Sequence, residues 1–173
     1  MKALFQAYTK YNQNVNKDLF DILLTLSKDQ LMQKFDVYHS SIYDTLLHIL
    51  ISDMYWIKRF SKLFGTYSSL EKTKLLSYDL RKLKDDLGED HRKLIELRKE
   101  LDELIDRFAK DLSDADYGKI LQYKNFKGED TEKEIWKVLM HMFNHQTHHR
   151  GQVSELLDLL KVENDYSSLL PRI

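Results

Sequence analysis

Four of the chain's seven histidines fall within nine consecutive residues, at His141, His145, His148 and His149. The segment Thr131–Leu160 that carries them reads as one long helix. Thr131 followed by Glu134 has the spacing of a capping box, in which hydroxyl and carboxylate each satisfy a free backbone N–H. Apolar residues then recur at Ile135, Val138, Leu139, Met142, Val153, Leu156, Leu157 and Leu160, the three-and-four spacing of a buried stripe. At about 100° per residue, His145 and His149 lie roughly 40° apart on the side of Val138, Met142 and Leu156, facing inward. His141 and His148 flank that face.

An inward i, i+4 pair of imidazoles is a two-ligand arm for zinc, nickel, copper or iron, because one helical turn fixes the separation of the donors. The competing reading is a pair of hydrogen-bonded core histidines. The motif is not that of a metalloprotease. Met142 and Gln146 stand where H-E-x-x-H would place its general base. No Gly-flanked serine supports a nucleophilic triad.

The run Asn144-His145-Gln146-Thr147-His148-His149-Arg150-Gly151-Gln152 resembles the signature in the last long helix of DinB-like proteins, the DinB/YfiT-like superfamily of metal-binding proteins. Upstream, Ser41-Ile42-Tyr43-Asp44-Thr45-Leu46-Leu47-His48, continuing through Asp53 to Trp56, is similar to the second helix of that family, where one His precedes an Asp and a Trp. The order of the two motifs and the overall layout extend the likeness to nearly the whole chain.

The resemblance implies an all-α fold, a four-helix bundle forming one domain over residues 1–173. It implies one divalent ion, zinc or nickel first, held by His48, His145 and His149. The helical wheel selects His145 and His149 independently; His48 comes from the resemblance alone. Three imidazoles leave a coordination position open, as catalytic sites do. Relatives of known activity use such a metal to activate low-molecular-weight thiols, so a metal-dependent thiol transferase with a small-molecule, thiol-bearing substrate is the first expectation. The chain has no Cys to supply that sulfur itself. A non-catalytic, stress-associated metal-binding bundle is the second. A homodimer is also implied.

The elements that must position these residues follow from composition. With five Gly and a single Pro, at position 171, long helices meet almost no interruption. A first helix is expected over Lys2–Leu26. A second starts at Ser40 or Ser41, capped by Ser41 with Asp44, runs to about Phe60 and should be the most buried. A third covers about Asp90–Leu112, with a charged face read as solvated. His48 falls among Ser41, Thr45, Ser52 and Tyr55, whose hydroxyls could orient a ligand. Tyr117–Gly128 reads as an irregular or hairpin-like crossover into the last helix, and the residues after Leu160 as a surface tail. Asn12 and Asn16 are expected to bond neighbouring helices. His39 and His91 have no partner in sequence and read as ordinary side chains. Gly151, alone inside the last helix, is expected to admit a closely packed neighbour.

Net charge is −1, so no global field attracts nucleic acid or anionic membrane. The chain lacks a signal peptide's apolar core and any apolar run of the ~18 residues a membrane span needs. A cytoplasmic protein is expected. A histidine-only site also predicts metal affinity that falls through about pH 6, as protons compete for free imidazoles.

Overall fold

The computed structural model describes residues 1–173. The fold is mostly helical: α1 (Lys2–Leu23), α2 (Lys28–Met32), α3 (Ile42–Phe64), α4 (Ser68–Glu71), α5 (Leu83–Leu87), α6 (His91–Asp111) and α7 (Ile135–Leu159), with a hairpin, β1 (Ile120–Lys124) and β2 (Asp130–Glu134), before α7. Four helices are long. α1 packs along α6, and α3 lies between α6 and α7. Their inner faces bury Val15, Leu19, Leu50, Phe60, Leu101, Phe108, Met142 and Val153 in a continuous apolar core. α3 buries thirteen of its 23 residues, more than any other helix, as its nearly all-round apolar pattern requires.

Local chemistry sets the helix starts. Ser41 accepts from the Asp44 amide at 3.0 Å and opens α3. Asp90 accepts from the amides of Arg92 and Lys93 and opens α6. Ser27 and Gln30 form a full capping box for α2. Gly88 ends α5 at φ +56°, the left-handed C-cap conformation that glycine takes without steric penalty.

α7 begins later than the sequence suggests. Thr131 and Glu134 form no capping box; both lie in β2, which pairs antiparallel with β1 from Ile120↔Glu134 to Lys124↔Asp130. The first free amide of α7, at Ile135, donates instead to the Lys119 carbonyl at 2.9 Å. The tail is also not merely superficial. Tyr166 is buried and its hydroxyl donates to the Arg150 carbonyl at 3.1 Å, while Arg172 pairs with Asp18 at 2.8 Å. No helix is long and apolar enough to cross a membrane.

Candidate metal centre

α3 and α7 lie side by side, which brings His48 against the two inward histidines of α7. His145 Nε2 stands 3.1 Å from His48 Nε2 and 3.1 Å from His149 Nε2. His149 is buried and His145 and His48 half-buried, whereas His141 and His148 are exposed on the flanks.

The proton inventory of this cluster is informative. His149 Nδ1 lies 2.6 Å from Gln152 Oε1 and donates to it, which leaves Nε2 with a bare lone pair. His145 Nε2 cannot satisfy both of its neighbours. Carrying a proton, it donates to His149 and meets His48 with no lone pair to offer; without one, it faces the lone pair of His149. Three neutral imidazoles therefore cannot make two hydrogen bonds at these contacts. A cation among the three nitrogens would satisfy all of them, so the residues present fit a divalent metal.

Electrostatics keep the donors neutral. Burial lowers the pKa of His48 to about 4 and that of His145 to about 3, and the adjacent imidazoles push both in the same direction. Burial also lowers His149, against the opposing pull of its bond to Gln152. The expected fall in metal affinity through pH 6 is revised accordingly. It applies to free imidazoles; for His48 and His145 the lowered values move proton competition to lower pH.

Sequence reasoning missed His39. It lies in the α2–α3 connection, closed by a bond from the Phe35 amide to the Ser40 carbonyl at 2.7 Å. Its ring centroid is 4.3 Å from that of His48 and 5.2 Å from that of His149. Donor atoms of His39, His48 and His149 all lie within 4.8 Å of one another. Two overlapping triads thus share His48 and His149. His39, His48 and His149 have their donor atoms mutually close, while His145, on a helix, touches His48 and His149 at 3.1 Å. Only folding brings His39 to the cluster, and no local spacing could have shown it.

Gln152 was likewise overlooked, although its i+3 position from His149 is the readable signal. Two of the four hydroxyls expected around His48 serve the helix instead: Ser41 caps α3, and Thr45 bonds the Ser41 carbonyl at 2.9 Å.

A buried polar network backs the site. Arg98 of α6 donates to Asp53 of α3, to Asp102 of its own helix and, at 3.4 Å, to Gln146 of α7. Asn16 of α1 donates to Asp102 at 2.8 Å and accepts from Arg150 at 3.4 Å. The non-histidine residues of the α7 motif, Gln146 and Arg150, thus tie that helix to α6 and α1. Asn12 has no bonding partner, contrary to expectation. The outer face of α6 is solvated as read, with Glu96, Lys99, Glu103 and Arg107 unburied, but Arg98 and Asp102 lie inside. They lie in register with Leu94, Leu101 and Ile105, on the apolar stripe itself. Gly151 is exposed, and an added Cβ would meet nothing within 4 Å, so no neighbour requires a glycine there.

Comparison with known proteins agrees with this architecture. The DinB family model matches residues 1–164, and the chain belongs to that family. It is similar to Protein DinB of Bacillus subtilis (strain 168), 29% identical over 162 residues that cover 88% of this chain and 83% of the relative. No solved structure gives a significant match.

Proposed function

We propose that the chain is a single-domain four-helix bundle binding one divalent metal, zinc or nickel, through His48, His145 and His149, and that this centre activates a small-molecule thiol. The observation that carries the reading is the set of three Nε2 atoms linked by 3.1 Å contacts that protons alone cannot satisfy. A bound divalent ion would act there as a Lewis acid, lowering the pKa of a coordinated water or thiol. Gln152 holds His149 in the tautomer that presents Nε2, and burial keeps His48 and His145 free of protons. The thiol chemistry rests on family resemblance.

His39 favours a second reading. With its nitrogen as a fourth donor the site would be closed, as structural metal sites are, and the protein would be a non-catalytic metal-stabilised bundle. Metal analysis of protein purified without an affinity tag tests the centre, with one ion per chain expected. Full occupancy after replacing both His145 and His149 by Ala would overturn it. Cobalt-substituted protein separates the two readings. An open site takes up an added thiol with a new sulfur-to-cobalt absorption band, and a closed one does not.

A further inference from the structure

His141 stands between the imidazole cluster and a cavity. Its ring is 5.8 Å from that of His145 and 5.6 Å from that of Trp56. Beyond it a cavity of about 470 Å³ opens between α3, the hairpin and the first turns of α7. Its walls are aromatic and its charges are all of one sign. The Arg59 guanidinium lies 4.4 Å from the centroid of Trp56 and 4.7 Å from that of Tyr123. Lys133 and Lys137 line the same space, and no carboxylate does.

Of these cations only Lys137 is neutralised, by Glu134 at 2.6 Å. Arg59 has no acidic partner. It donates one bond to the Lys124 carbonyl at 3.1 Å and leaves its remaining N–H groups unused. Burial pulls its pKa below the ordinary value. Stacking on two rings explains where the guanidinium lies. It does not explain why Arg59 and Lys133, neither of them paired with an acid, share a concave surface with no carboxylate in its walls. Phe126, at the tip of the hairpin, is 89% exposed at the cavity mouth, an apolar ring that a ligand would shield from water.

We propose that this cavity binds an organic anion: a small molecule whose carboxylate, sulfonate or phosphate seats on Arg59 and Lys133 while a flat apolar body lies against Tyr123 and Phe126. Its other end reaches the imidazole cluster past His141. In naming this molecule as the substrate of the metal centre the proposal rests on the function proposed above. Binding of the anion itself does not.

Calorimetric titration of metal-stripped protein tests it with three probes: naphthalene-2-sulfonate, the uncharged 2-naphthalenemethanol, and inorganic sulfate. The naphthalenesulfonate should bind at least about tenfold more tightly than either, the scale of one charge-assisted hydrogen bond. Arg59→Gln should abolish its advantage over the neutral probe and leave the neutral probe's affinity unchanged. Arg59→Lys should retain part of the advantage, and Lys133→Gln, at an exposed position, should reduce it. Equal binding of charged and neutral naphthalenes, or an Arg59→Gln variant that still discriminates, would overturn the proposal, as would sulfate binding as tightly as the naphthalenesulfonate. Metal content measured separately on the same variants should match the wild type. A failed anion site in a metal-binding protein and a sound anion site in a metal-free one are therefore distinguishable.

Discussion

Replacing Arg98 with Met removes the one cation that two buried carboxylates share while keeping most of the side chain's volume. Asp53 is fully buried and Asp102 nearly so, and both accept from this guanidinium. Burial already pushes Asp53 up to about 6, although Arg98 pulls the other way. Its Oδ1 has no partner, so Arg98 supplies all its hydrogen bonding. Removing one member of a buried ion pair typically costs 3–5 kcal/mol, and we expect a loss of about that size for Arg98→Met at pH 7.5. The penalty should depend on pH with a definite sign. A carboxyl whose pKa is raised in the folded state contributes stability below its unfolded value, near 3.8, and loses it as pH rises through the folded value. Without Arg98 that folded value rises further. The deficit against wild type should therefore shrink between pH 7.5 and pH 5, by about 1.4 kcal/mol for each further tenfold weakening of the acid. Adding Asp53→Asn to Arg98→Met should recover part of the loss. Urea denaturation followed by circular dichroism at both pH values measures all of this. A cost below about 1 kcal/mol, or a deficit identical at the two pH values, would refute the account of the network.

Gly151→Ala should stabilise the protein by about 1 kcal/mol in the same assay, because Ala is the better helix former and its methyl meets nothing; a destabilised variant would show a hidden neighbour. His39→Gln should retain the metal and change the cobalt spectrum, whereas His149→Gln should lose the metal; equal loss from both would move the ligand set to the triad containing His39. The depressed histidine pKa values set a further pH dependence for the metal-free protein. A lowered folded pKa contributes stability above the unfolded value, about 6.5, that is lost as pH falls toward about 4 for His48 and about 3 for His145. Wild type should therefore lose stability relative to His145→Gln on acidification from pH 6.5 to 4.5, and parallel curves would contradict the neutral cluster.

What the sequence made legible was whatever depends on local spacing. The inward faces of His145 and His149, the cap at Ser41 and the depth of α3 all follow from residues within a turn or two of one another. The second hairpin strand did not, because Asp130–Glu134 is polar throughout and carries no apolar alternation to mark it. His39 reaches the site from a connection, so only tertiary packing reveals it. Arg98 and Asp102 went unmarked for a different reason: an i, i+4 ion pair looks the same in sequence whether it faces water or the core. Their place on the stripe with Leu94 and Leu101 was the available clue.

The hairpin meets the histidine helix with no slack. Glu134 is the last residue of β2 and Ile135 the first of α7. One residue inserted at that joint would turn the helix by about 100° against its strand, or break the ladder to spare it. The same insertion at Asn125–Glu129, where an asparagine side chain and Gly128 close the turn, would lengthen the tip and leave the three imidazoles where they are. Length variation among related chains should therefore collect at the tip and be absent from the joint. The portion of the cavity wall built by Phe126 can then diverge from one relative to the next while the spacing from Glu134 to His149 stays fixed.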